Sequence, residues 1–325
     1  MTSSNKTSCA PSQDLDLSAA AACGDVERAR ACLAQDPHCA ATHPNALKLA
    51  AQNGHEECVA LLMPLFDAKA GSSSALLQAA ENGHAGCVAM LLPFSDPKAL
   101  GSYAITWAAI NGHAECVRIL IPDPRTNPNE AEALRMAAVK NHPECVALLL
   151  PVADAKEDNS YALRIAASRG YAECVRLLIP FSDPAANGSE ALRKAAAEGH
   201  AECVKLLIPV SDPKSWGAAA FRSACASGHT ECASLLLPFS GPIRPQCSAL
   251  GSVLEYGRAD IFSIMLARDA GLLESLDFAQ IKDNAARGGF LDLAELASSI
   301  IEHRAISACL GSSPEPMMPT PPARL

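Results

Sequence analysis

The chain has 325 residues, 26 Lys and Arg against 35 Asp and Glu for a formal net charge of -9, and 49% hydrophobic residues of which few are aromatic (4% of the chain). An acidic balance argues against a nucleic-acid surface, which needs a basic patch to neutralise phosphates, and the scarcity of rings requires a core of Ala, Leu, Ile, Val and Cys. No stretch reaches the roughly 18 uninterrupted apolar residues of a membrane helix, and 14 cysteines in a chain of this length are too sparse for a small disulfide scaffold.

Residues 1–13 are rich in Ser, Thr and Asn and hold no apolar run long enough for a signal-peptide core, so they are expected to be a disordered segment. A regular pattern begins at residue 14. The stretch from Asp25 through Arg28, Arg30 and Cys32 to Leu33 places charge where later units place Cys and Val, which suits an end facing water on one side. Seven cysteines then follow at one unvarying interval: Cys58, Cys87, Cys116, Cys145, Cys174, Cys203 and Cys232. Self-similarity at a fixed period means one supersecondary unit copied and stacked, and one elongated domain is expected over residues 14–304.

Residues 161–189 show the unit. Ala162 to Arg169 carries apolar residues at helical spacing and strong helix formers, predicting a short first helix. Gly170 ends it as a residue able to take positive φ. Tyr171 to Ile179 restarts the period, with Cys174, Leu177 and Leu178 expected on one face and Glu173 and Arg176 turned outward. Pro180 closes this second helix, and residues 181–188 are dense in turn formers. Each unit therefore reads as helix, tight turn, helix, loop. Counting the turn residue gives ten units: Gly24, Gly54, Gly83, Gly112, Asn141, Gly170, Gly199, Gly228, Gly257 and Gly289. At the far end Ile261 takes the cysteine slot, and the step from Gly257 to Gly289 is longer than the regular one, so the last units are atypical. Residues 305–325 are Pro-rich and are expected to be a disordered tail.

The recurring Leu-x-x-Ala-Ala-x-x-Gly-His-x-Glu-Cys-Val-x-Leu-Leu-Leu closely resembles the ankyrin repeat. The resemblance implies an all-α solenoid of about ten stacked helix-turn-helix repeats acting as a protein-protein interaction scaffold. Each unit is shorter than the family's about 33 residues, and alignment places the shortfall in the loop, where the family has a β-hairpin finger. Pro93, Pro97, Pro180, Pro184, Pro209 and Pro213 remove ladder donors there, so the fingers are expected to be reduced or absent.

Six His-x-x-Cys pairs, from His55 and Cys58 to His229 and Cys232, have a spacing that puts two metal ligands on one helical face, but zinc takes four. The cysteine slot matches a core valine of the ankyrin pattern, and the histidine slot braces the turn in that family. Equivalent cysteines on packed helices lie about 10 Å apart, beyond disulfide reach, which points to a reducing, cytoplasmic compartment. The same Cys and His recur identically where an active site would be singular. No metal, cofactor or catalytic residue is expected.

Specificity is expected where the units differ. The positions before the turn glycine, which in the ankyrin family line the concave groove, include Ile110, Val139, Lys140 and Arg169, and Trp107 and Met136 lie one helical turn before Ile110 and Val139. Trp107, Ile110, Met136 and Val139 suggest an apolar partner-binding patch. Arg135, Arg164, Arg193 and Arg222 stand in one slot of four consecutive units and suggest a positive ladder complementary to an acidic protein or peptide. Binding by a monomer through this face is the principal expectation. The alternative is a secreted or host-delivered effector in which residues 1–13 serve export and the array docks on a host protein.

Overall fold

The computed structural model describes residues 16–66, 70–95, 103–121 and 130–310. Residues 1–13, Pro97, and residues 311–325 of the expected tail lie outside that set. Among the described residues every regular element is helical and no strand occurs. The fold is the all-α helix-turn-helix repeat, without fingers in the described loops.

The chain divides into two compact units, Met1–Ala162 and Leu163–Leu325, where the repeat pattern implies one domain. In the first unit the helix pairs are Leu17–Cys23 with Val26–Gln35, Ala46–Gln52 with Glu56–Leu62, Ala70–Glu81 with Ala85–Leu91, Tyr103–Ile110 with Ala114–Leu120, and Glu130–Lys140 with Pro143–Leu149. First helices pack on first helices and second on second, which makes two parallel layers. The second unit repeats this with Ala172–Leu178, then Ala186–Ala197 with Ala201–Leu207, Ser215–Ser227 with Thr230–Leu236, and Ser248–Glu255 with Ala259–Arg268. Phe278–Gly288 with Leu291–Leu310 ends it. That last helix runs on past residue 304 to Leu310, whereas the composition predicts a tail from residue 305; the Pro-rich part begins only beyond the helix.

From Glu56–Leu62 to Ala201–Leu207 the second helices each bury a Cys, a Val and a Leu, while Thr230–Leu236 has Ala233 in place of the Val. Cys116, Val117 and Leu120 are at most 1% exposed, as are Cys174, Val175 and Leu178. Val175 takes the place the periodicity assigns to Leu177, which is half-buried. The helices are short, Ala114–Leu120 and Ala172–Leu178, so two adjacent positions and one a turn later suffice to fill the interlayer space. Small first-helix residues such as Ala108, Ala109, Ala137 and Ala138, all fully buried, let the layers approach closely. The ladder cysteines are buried. Cys23 differs, being disulfide-bonded, so the redox state inferred from the ladder does not extend to it.

The turn residues counted above all adopt left-handed backbone, with Asn141 at φ 62 in the slot glycine fills elsewhere, as a residue with a short polar side chain tolerates. The glycine is also required by space. A Cβ on Gly24 would lie 2.5 Å from Nδ1 of His55, whose ring stands over the preceding turn. That ring also donates through Nε2 to the Ala22 carbonyl at 3.0 Å. His84, His113 and His142 make the same bond to Gln52, Glu81 and Ile110, and His200 makes it to Ser168. Donation to a carbonyl places a proton on Nε2 of each ring. Burial lowers the pKa of His84, with the Gln52 carbonyl opposing.

In place of a finger the described loops use a Pro-containing 3-10 turn, as at Ile179–Phe181. An Asp then caps the returning chain: Asp183 accepts from the Ala185 amide at 3.0 Å and Asp212 from that of Lys214 at 3.0 Å. Three first helices open on left-handed backbone, at Asp158 and Ser160, at Asn187 to Ser189, and at Trp216 and Ala218. Asn-Gly-Ser suits such a turn. Trp216, at φ 50, does not, since a bulky L-residue there is strained.

Candidate interaction face

The first-helix layer carries the side chains that change from repeat to repeat. In the first unit, Tyr103–Ile110 and Glu130–Lys140 pack side by side. Trp107 is 38% exposed and Tyr103 53% exposed, and their i, i+4 relation puts both on one helical face. Ile110, Met136 and Val139 are half-buried, and Lys140 is exposed. Trp107, Ile110, Met136 and Val139 thus lie on two adjacent first helices, with Tyr103 as a further exposed ring that sequence reasoning missed. Its signal was available, because it sits one helical turn before Trp107.

The arginine slot resolves differently from the expected ladder. Thr106 holds that slot in the Trp107 helix, and its hydroxyl is buried with no hydrogen-bond partner. Arg135 is turned onto two carboxylates, Asp158 at 2.6 Å and Glu132. In the second unit Arg164 meets Glu190 at 2.6 Å, the two side chains being only 16% and 14% exposed. Lys194 reaches the same carboxylate at 3.0 Å. Burial alone would raise the Glu190 carboxyl, but bonds from Lys194, Asn187 and Arg164 outweigh it and hold the group down at about 2. Arg135 and Arg164 are thus consumed within the fold and add little to a positive surface. Arg169 is exposed at its helix end, and Arg193 and Arg222 are half-buried. Among the described residues no carboxylate pairs with Arg193 or Arg222.

The ladder thiols have no such role at the surface. Burial pushes Cys87, Cys116, Cys145, Cys174, Cys203 and Cys232 up to about 11, and Cys225 to about 12. They stay protonated at neutral pH, and a nucleophile or metal ligand needs the thiolate. The neighbouring His84, His113, His142 and His200 are engaged with backbone carbonyls as described. Among the described residues no group of three His, Cys, Asp or Glu is arranged to hold a metal ion, and no helix is long and apolar enough to cross a membrane. A cavity of about 330 Å³ lies among Leu254, Glu255, Ile281, Asn284, Phe290 and Leu293, where the longer step from Gly257 to Gly289 replaces the regular one. Its lining is mainly apolar and brings no acid–base pair together.

A family model described as ankyrin repeats in three copies matches residues 17–100, 76–160 and 151–215, more than half of the chain. No curated protein matches it.

Proposed function

We propose, from the premise that this chain belongs to the ankyrin repeat family, that it is a protein-protein interaction scaffold whose first-helix face binds a protein or peptide. The observation that carries this reading is the division of labour between the two layers. From Cys58 to Cys203 the second-helix layer repeats the same buried Cys, Val and Leu, while the first-helix layer sets an exposed Trp107 and Tyr103 beside half-buried Ile110, Met136 and Val139. Aromatic anchors ringed by apolar contacts are what interfaces use for affinity. The repeated Cys and His positions have structural work wherever their burial and bonds are described, so binding rather than catalysis is the proposed activity.

The test immobilises the full chain beside a Trp107→Ala plus Met136→Ala variant and compares what each retains from a cell lysate. A protein held by the wild type and lost at least about tenfold from the variant, with helical circular dichroism unchanged, supports the face chosen here. Equal retention by both overturns it.

A further inference from the structure

One surface in the second unit pairs a strongly exposed ring with positive charge that the fold leaves uncompensated. The helices Ala186–Ala197 and Ser215–Ser227 pack together. Arg193 on the first places its guanidinium carbon 5.7 Å from the ring centroid of Trp216 on the second. Trp216 is 65% exposed. Its indole lies across Gly188, where a Cβ would come within 2.6 Å of Nε1. Arg222 donates to the Trp216 backbone carbonyl at 3.0 Å, so a second guanidinium is held at the same residue. The Arg193 Nε is buried and has no hydrogen-bond partner.

The preceding repeats show what such an arginine takes. Arg135 pairs with Asp158 at the start of the next first helix; the residue in that register relative to Arg193 is Trp216. Arg164 pairs with Glu190, slightly further along the next first helix; the matching position for Arg193 is Ala219, which is 8% exposed. For Arg222 the two matching positions are Pro245 and Ser248. Glu190 itself, on the same helix as Arg193, is already taken by Arg164 and Lys194. The sequence has thus withdrawn both carboxylates that the following repeat supplies to earlier arginines and put an indole in the place of one of them.

We propose that Trp216, Arg193 and Arg222 form a docking point for an acidic peptide segment of a protein partner. A partner carboxylate takes the position that Asp158 and Glu190 fill within the fold, and an adjacent apolar side chain lies on the indole. Guanidinium groups favour carboxylates through paired N–H donors, and a cation held over the ring keeps the indole oriented. The positive site on an otherwise acidic chain also steers an acidic segment toward itself. This inference deepens the interaction-scaffold reading and rests on it.

The probe is a fluorescein-labelled peptide of alternating Glu and Leu, with a Gln-for-Glu twin, titrated by fluorescence anisotropy into the full-length chain. The Glu peptide is expected to bind and the twin to bind at least about tenfold more weakly. Arg193→Gln with Arg222→Gln, and separately Trp216→Ala, are each expected to weaken the Glu peptide at least about tenfold. Ala219→Glu keeps all three residues but re-creates the internal carboxylate of the preceding repeat. It is expected to weaken binding while raising the melting temperature, a result that general loss of folding cannot imitate. Arg135→Gln is expected to leave binding unchanged. Glu-peptide affinity that survives the double arginine variant overturns the inference, as does equal binding of the Gln twin. Failure of the peptide to bind at all, with lysate capture still lost on Trp107→Ala plus Met136→Ala, overturns this docking point and leaves the scaffold reading standing.

Discussion

Between Cys87 and Cys145 the second-helix layer repeats nearly residue for residue, with Cys, Val and Leu buried in each repeat and a histidine bonded to the carbonyl of the repeat before. Across the same repeats the first-helix face runs from Gln78 to Trp107 to Met136. One layer is constrained by a gap of fixed size, where a methylene more or less is felt. The other meets solvent, where most changes are energetically small. The difference teaches where to look for specificity: in the layer that the packing does not dictate.

Substitutions in the two layers should therefore separate in magnitude. The largest effect is expected for Leu120→Ala, which removes a fully buried side chain and should destabilise by about 3 kcal/mol. Urea unfolding with an unchanged slope is the measurement, and a loss under about 1 kcal/mol would mean that the layer is not close-packed. Arg164→Ala comes next, because it leaves the Glu190 carboxylate, in a site only 14% exposed, with Lys194 and Asn187 as its remaining partners. A loss of about 2 kcal/mol is expected, below the range for fully buried pairs, and Glu190→Ala added to it should recover part of that.

Acid should resolve the same two regions in sequence. Burial lowers the pKa of His84, so the unfolded chain binds the extra proton and the stability this histidine contributes falls as pH drops below about 6.5. Glu190 is held at about 2 against an ordinary 4.5. Its contribution is present above 4.5 and lost as pH falls through that interval toward 2. Melting temperatures recorded from neutral pH down to the folded-state value of Glu190 should show the two losses in that order, with Glu190→Gln abolishing the second. The smallest effect on stability, within about 0.5 kcal/mol, is expected for Trp107→Ala in thermal unfolding, although the same change should remove partner capture.

Much of the repeat was legible because its determinants are local. The cysteine period, the turn glycines and even Asn141 in the glycine slot each report a backbone or packing need within one repeat. The choice of Val175 over Leu177 for the core was not legible, since both satisfy helical periodicity and only the short length of the helix decides between them. The arginine partners were hidden for another reason. Arg164 and Glu190 belong to successive repeats, so their meeting depends on how one repeat is seated on the next. Trp216 escaped notice as well, because nothing in its local sequence announces left-handed backbone at an aromatic residue. The site residues thus divide between Trp107 and Met136, visible as outliers in a repeated column, and Trp216, visible only once the column has been folded.

The histidine ring standing over the previous turn has a bearing on how such a chain changes length. Because the joint between repeats is the same at Gly54, Gly83 and Gly112, excision of residues 84–112 would bring His113 over Gly54 and His142 over Gly83 and re-form the same joint. The repeat is then interchangeable stock: whole repeats can be duplicated or deleted by recombination while the joints re-form. Inheritance can thus reorder the variable columns in blocks and leave the frame that displays them unaltered.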